Sequence, residues 1–258
     1  MAVTAPLVIT ATGAYTRHRF RLQEIDIPIP GLPKDLEGLR IVQISDVHLS
    51  PFLHVSEFAR VIDMANETKA NIAVVTGDLI TAGGDPLDDA LKQVARLKSD
   101  AGIFGCHGNH EVYARATGYA TTEGKKLGID FLRDAAQTLR FGNANLNLVG
   151  VDYQRTRLPY LVGAEKLVQP DQVNILLSHN PDVFKVSKEM GYDLTLSGHT
   201  HGGQINVEIL HENLNIARFV TPYTSGLYTE KGKSVFVSTG IGTVGVPVRF
   251  GAQPEVAL

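Results

Sequence analysis

This 258-residue sequence predicts an α/β fold in which two packed β-sheets carry helices on their outer faces. Three observations lead there. Short apolar runs rich in β-branched residues recur, each followed by Gly, Asp, Asn or His. Amphipathic helical patterns separate the first three of these runs, and the second half is richer in strands than in helices.

The chain opens with "MAVTAPLVITATGAYTRHRFR", a small-residue apolar stretch leading into Arg17, Arg19 and Arg21. It lacks the basic start of a signal peptide. Two readings stand for it: the last turns of a membrane helix with basic residues at the interface, or a strand or arm packed on the domain. No run of ~18 or more apolar residues occurs, so no full membrane span is expected in the sequence as given. Pro28, Pro30, Gly31 and Pro33 form a connector. Residues 1–36 are therefore expected to be an N-terminal arm and linker, and residues 37–258 the main domain.

The elements follow in order. "LRIVQIS" (residues 39–45), "NIAVVT" (71–76) and "GIFGCH" (102–107) read as buried strands. Between them, residues 55–68 place Val55, Phe58, Ala59, Ile62 and Ala65 near one helical face, and residues 87–98 do the same with Leu87, Leu91, Val94 and Leu97. This βαβαβ order implies parallel strands with right-handed crossovers. "NLNLVGV" (145–151) alternates, so one of its faces is expected to be solvated or packed on a different layer. "VNILLSH" (173–179) is a buried run, and Pro181 after Asn180 suits a helix start over 181–190. "YDLTLSG" and "SVFVSTG" (234–240) complete the strands.

Composition narrows the function. An apolar content of 43% and a charged content of 20% are ordinary for a globular protein. With a net charge of −3 and no Lys/Arg block, nucleic acid is not indicated as a partner. The single cysteine, Cys106, excludes an intramolecular disulfide framework and a cysteine-rich zinc site, and reads as a small buried hydrophobe. Of nine histidines, His18, His54, His107 and His211 lie in unpatterned surroundings and are expected to be surface or hydrogen-bonded groups.

The other five histidines follow the strands. Set side by side, the strand ends deliver Asp46-x-His48, Gly77-Asp78, Gly108-Asn109-His110, His179 and Gly198-His199-x-His201. In open α/β sheets ligands gather at the carboxyl ends of parallel strands. Residues two apart on an extended segment point to one side, which pairs Asp46 with His48 and His199 with His201. Each fragment alone is a common turn or cap, but the ordered set of five places polar groups at buried strand ends that need a ligand to satisfy them. Two carboxylates, one amide and four imidazoles, without a thiolate, suit Mn, Fe or Zn. Seven such groups are too many for one tetrahedral ion and suit two ions sharing a bridge. Four positive charges from two divalent ions, less Asp46, Asp78 and a bridging hydroxide, leave about one, which complements a phosphodiester monoanion.

The blocks "DVH", "GD", "GNHE", "H" and "GHTH", in that order over roughly residues 39–240, resemble the calcineurin-like metallophosphoesterases. "GLRIVQISDVHLS", "GHTHGGQ" and the tail "PVRFGAQPEVAL" resemble a bacterial branch of that family, whose members often follow an N-terminal membrane segment or export signal. That favours a removed anchor at the start of the chain, and with it membrane proximity. The resemblance implies a four-layer αββα sandwich of two mixed β-sheets flanked by helices. It implies that Asp46, His48, Asp78 and His201 hold one metal, and that Asp78 bridges to a second completed by Asn109, His179 and His199. His110 matches the non-ligand histidine that contacts the phosphate and protonates the leaving group.

The expected activity is that of a dinuclear metal-dependent phosphodiesterase, with in-line attack by a metal-bridging hydroxide on a small-molecule or lipid-linked phosphoester. The alternatives are a pyrophosphate-bond hydrolase of a lipid-linked nucleotide (UDP-diacylglucosamine type), a phosphomonoesterase, and a non-catalytic scaffold. Around the site, Glu111 reads as an exposed helix-start glutamate, with orientation of the adjacent His110 the other reading. Arg155, Arg157, Tyr153, Tyr223 and Tyr228 read as loop or packing residues, with substrate contact the other reading.

Overall fold

A computed structural model describes residues 12–155, 159–209 and 212–258, so the first eleven residues, Arg157 and His211 lie outside the described residues. Two six-stranded sheets pack face to face. The strands of the first are β1 (Arg21–Gln23), β2 (Ile41–Ile44), β3 (Ile72–Thr76), β4 (Ile103–Cys106), β5 (Ile129–Phe131) and β14 (Glu255–Ala257), in the order β1-β14-β2-β3-β4-β5. Those of the second are β6 (Ala135–Phe141), β7 (Ala144–Gly150), β8 (Val173–Leu177), β9 (Leu194–Ser197), β12 (Gly226–Glu230) and β13 (Lys233–Val237), in the order β12-β13-β9-β8-β7-β6. A separate hairpin joins β10 (Asn206–Ile209) to β11 (Glu212–Asn215). Both large sheets are mixed: β2 to β5 run parallel while β14 is antiparallel to β2, and β7, β8, β9 and β13 run parallel between antiparallel edges.

Period-two alternation sorts each strand between layers. Ile72 and Val74 face the core between the sheets, with Phe104, Leu148, Ile175 and Leu196. Ala73 and Val75 face outward onto helices α1 (Val55–Glu67) and α2 (Leu87–Val94), which bury Phe58, Val61, Ile62, Ala65, Leu87, Ala90, Leu91 and Val94. Three more helices are α3 (Asn109–Tyr113), α4 (Thr117–Lys126) and α5 (Phe184–Met190). The layers are thus helix, sheet, sheet, helix, as expected.

One boundary shifts and one open alternative is decided, each for an identifiable reason. The helix expected over 87–98 ends at Val94, because Arg96 N and Leu97 N bond back three residues to Gln93 O and Val94 O and tighten the last turn. In β7 the alternate face meets another layer instead of water. Val149 packs in an outer cluster with Leu176 and Val183, and the buried Asn147 donates to Asn174 Oδ1 and Leu167 O, each at 2.8 Å. Among the described residues, no helix is long and apolar enough to cross a membrane.

Candidate metal centre

All seven ligand candidates and His110 arrive at one edge, the carboxyl ends of the parallel strands. Asp46 and His48 follow β2, Asp78 follows β3, and Asn109 and His110 open α3 after β4. His179 follows β8, while His199 and His201 follow β9. They form overlapping clusters: Asp46, His48 and His201; His48, Asp78 and His110; and Asp78, His179 and His199. An apolar cavity of about 580 Å³, lined by Ile27, Ile41 and Leu194, lies towards the opposite ends of the strands.

In the first cluster His48 Nε2 and His201 Nε2 are 3.1 Å apart, and Asp46 Oδ1 is 3.4 Å from His201 Nε2. In the second, His179 Nε2 has Asp78 Oδ2 at 2.9 Å, Asn109 Oδ1 at 3.1 Å and His199 Nδ1 at 3.1 Å. Asp78 Oδ2 belongs to both, since it also lies 3.7 Å from His48 Nε2.

The backbone that achieves this is not extended. Asp46, His48, Asp78, His199 and His201 all have left-handed φ values, between 47° and 75°. Such φ values cost energy in non-glycine residues and gather where function constrains the chain. The same-side pairing expected from an extended segment therefore holds for Asp46 and His48 only in outcome. His199 and His201 are turned into different clusters.

Glycines are required here for close approach. A Cβ on Gly108 would lie 2.1 Å from Asp78 Oδ1. One on Gly198 would lie 2.0 Å from Ser45 Oγ and 2.1 Å from Asp46 Oδ2, so proximity, not a sharp turn, excludes a side chain there. Gly198→Ala is expected to push Asp46 off His199 N, to which both its oxygens now bond at 3.0 Å. Metal affinity should fall about 10–100-fold, as when other groups that orient ligands are lost. Metal analysis of the folded variant checks this, and wild-type affinity would contradict it.

Burial sets most of the electrostatics. It drives His48 down to about 3 and His199 to about 4, and holds His201 well below the ordinary imidazole range, so all three are neutral at pH 7. Burial lifts Asp46 to about 6, against the pull of His179. Burial also opposes the charge on Asp78, but His179 holds that carboxyl well below the usual range. For His179, burial acts downward, yet Asp78 and then Asp46 carry it up to about 10. The metal-free protein thus keeps a proton on His179 at neutral pH. The raised pKa of His179 contributes stability to the metal-free fold that is lost as pH rises from about 6.5 through about 10. The depressed pKa of Asp78 contributes stability that is lost as pH falls below the ordinary carboxylate value of about 4. His48 and His199 act oppositely to His179, weakening the fold as pH falls below about 6.5. Metal binding at pH 7–8 is expected to release about one proton per chain and to strengthen about tenfold per pH unit. Titration calorimetry in two buffers of different ionisation enthalpy checks this, and a buffer-independent enthalpy would contradict it.

Do these residues fit metal ions? Imidazole, carboxylate and amide donors bond divalent ions at about 2.0–2.2 Å, and donors that share an ion then lie roughly 3 Å or slightly more apart. The separations of 2.9 to 3.7 Å match. His179 Nδ1 donates to Thr76 O at 2.7 Å, which aims its Nε2 at the second cluster. The clusters around Asp78 could therefore hold metal ions.

His110 stands beside the clusters, half-buried. Its backbone N donates to Asp78 Oδ1 at 2.9 Å, and its Nδ1 donates to Thr81 O at 2.7 Å, leaving Nε2 unengaged by that carbonyl. Tyr153 is also brought to the site, with ring centroids 6.1 Å from His179 and 5.8 Å from His199. Tyr223 and Tyr228 instead pack with Phe184, and Arg155 is exposed. Cys106 is fully buried, and burial pushes its thiol far up.

Two residues escaped the sequence. Glu111 is 1% exposed, contrary to the expected surface role. Its Oε2 accepts from Asp78 N (2.9 Å) and Gly108 N (2.8 Å), and its Oε1 from Leu79 N (2.6 Å). It ties the "GD" loop to the "GNHE" loop; its place in "GNHE" was the available signal. Arg249, fully buried, donates to Thr239 O at 2.8 Å and sits 3.3 Å from His201 Nδ1. Only the tail "PVRFG" hinted at it.

Comparison with known proteins gives a consistent result. A family model described as calcineurin-like phosphoesterase matches residues 39–203. The chain is 31% identical to an uncharacterized metallophosphoesterase of Aquifex aeolicus, over 95% of this chain and 94% of that protein. It is 29% identical to the uncharacterized metallophosphoesterase YkuE of Bacillus subtilis, over 97% and 90%. It is 30% identical to a transmembrane protein with metallophosphoesterase domain from Danio rerio, over 92% of this chain but only 56% of that protein. The chain thus spans about half the length of that vertebrate relative. Among solved structures, the phosphopantetheinyl hydrolase of Mycobacterium tuberculosis superposes with a TM-score of 0.52 at 10% identity, covering 81% of this chain and 94% of that one, a likeness of fold alone.

Proposed function

The chain belongs to the calcineurin-like phosphoesterase family, and from that premise we propose that it is a dinuclear metal-dependent phosphodiesterase. Asp46, His48, Asp78 and His201 hold one ion, and Asp78, Asn109, His179 and His199 hold the other. One observation carries the reading: Asp78 Oδ2 faces both clusters, 2.9 Å from His179 Nε2 and 3.7 Å from His48 Nε2. Bound there, divalent Mn, Fe or Zn supplies a water of lowered pKa and positive charge against the phosphoryl oxygens.

The chain's own residues supply the rest. Thr81 O fixes the His110 ring through Nδ1–H, so that Nε2, when protonated, delivers its proton to the leaving oxygen as the P–O bond breaks. Glu111 holds the loops bearing Asp78 and His110 in register. Tyr153, beside His179 and His199, walls the side on which an organic leaving group sits. Asp46, Asp78 and one ionised water would offset three of the four positive charges of two divalent ions, leaving about one, which complements a diester monoanion.

An aryl phosphodiester and the matching monoester, assayed with Mn(II), test the reading. Diester kcat/KM should be the higher, and His110→Asn should lower it about 10²–10⁴-fold while metal content stays unchanged. Equal or better monoester turnover would overturn the diesterase reading. A metal-loaded protein inert to every phosphoester, and indifferent to His110→Asn, would point to a scaffold.

A further inference from the structure

Large apolar side chains stand out of the protein around the metal edge. Phe52 (44% exposed), Tyr113 (67%), Val162 (80%), Phe219 (83%), Val220 (72%) and Val246 (51%) all lie on the connections that leave the carboxyl ends of β2, β4, β7, β9 and β13, with Tyr113 the last residue of α3 and Phe219 the last of a 3-10 turn. Four of these strands, β2, β4, β9 and the neighbouring parallel β13, run towards the clustered histidines and aspartates, and β7 runs parallel to β8, which delivers His179. Tyr15 joins them, because Gly13 O accepts from Arg249 N and Arg17 Nη1 donates to Phe52 O. Of ten large apolar side chains exposed among the described residues, only Leu22, Tyr119 and Leu127 lie elsewhere.

Cations accompany them. Arg19, Arg155 and Arg218 are exposed on the same edge, and the arginine ion pairs among the described residues are those of Arg21, Arg96 and Arg133 instead. The whole chain carries a net charge of −3, while these three guanidinium groups have no carboxylate within ion-pair distance among the described residues. A freely diffusing substrate needs only the centre and gives no reason for an apolar, cationic rim. Apolar tips with guanidinium groups among them match a lipid–water boundary, where the tips enter the acyl region and the cations meet headgroup phosphates.

We propose that the metal edge docks on an anionic phospholipid surface, placing the centre against phosphoesters at the level of the headgroups. The docking half stands on the rim alone, while the substrate half rests on the phosphodiesterase reading above.

Co-sedimentation of the full chain with phosphatidylcholine vesicles, with and without phosphatidylglycerol, tests it. Wild type should partition onto the anionic vesicles and be released by salt. Phe219→Ser/Val220→Ser and Arg218→Gln should each weaken partition by roughly tenfold, with turnover of a soluble aryl phosphodiester unchanged. Wild type that stays in solution, or variants that partition like wild type, would overturn the proposal. So would a dimer in sedimentation equilibrium that Phe219→Ser/Val220→Ser dissociates, since the rim would then cover a second copy. Vesicle binding by a metal-loaded protein inert to all phosphodiesters would leave the docking face standing and remove the phosphodiesterase reading.

Discussion

Asp78→Ala is expected to lower aryl phosphodiester turnover by about 10³-fold or more and to leave at most one metal ion per chain. Asp78 Oδ2 lies 2.9 Å from His179 Nε2 and 3.7 Å from His48 Nε2, and its Oδ1 also accepts the His110 backbone N–H at 2.9 Å. On the proposed reading, the substitution removes the shared ligand and the anchor of His110 together. It also removes the charge that holds His179 up to about 10, so proton release on metal binding should disappear with it. Asp78→Asn keeps the shape and loses the charge, and should resemble alanine in both readouts. Turnover within tenfold of wild type, with two ions bound, would show that Asp78 does not bridge.

Glu111→Ala is expected to have the largest effect on folding. Three backbone N–H groups, of Asp78, Leu79 and Gly108, bond its carboxylate at 2.6 to 2.9 Å in a setting closed to water. Each buried donor left without an acceptor costs about 1–3 kcal/mol, so the variant should lose about 3 kcal/mol or more of stability, together with metal binding. Glu111→Gln turns an amide NH₂ towards those donors and should fall between the two. Chemical denaturation of the metal-free proteins separates this loss from the lost metal contribution. An unchanged midpoint for Glu111→Ala would refute the tie between the two loops.

The convergence of these side chains was legible because they sit at strand ends, where apolar runs stop and Asp, Asn or His follow. Short apolar, β-branched-rich runs bounded by turn residues located β2, β3, β4, β8 and β9 within two residues, and their common direction brought their ends together. What the sequence could not convey was conformation. The left-handed φ values from Asp46 to His201 belong to no periodic pattern, and they decide that His199 and His201 part company. Glu111 was misread for a related reason. A glutamate at the third position of a helix is ordinarily solvated, and only the tertiary approach of the "GD" loop buries it. Arg249 is separated from His201 by forty-seven residues in sequence, beyond the reach of any local rule.

Anomalous X-ray scattering from crystals of the Mn(II)-loaded protein tests the two-ion centre most directly. Two peaks should flank Asp78 Oδ2, about 3.5–4 Å apart, one among Asp46, His48 and His201 and the other among Asn109, His179 and His199. A single fully occupied peak, or a pair not joined by Asp78, would refute the shared-carboxylate centre.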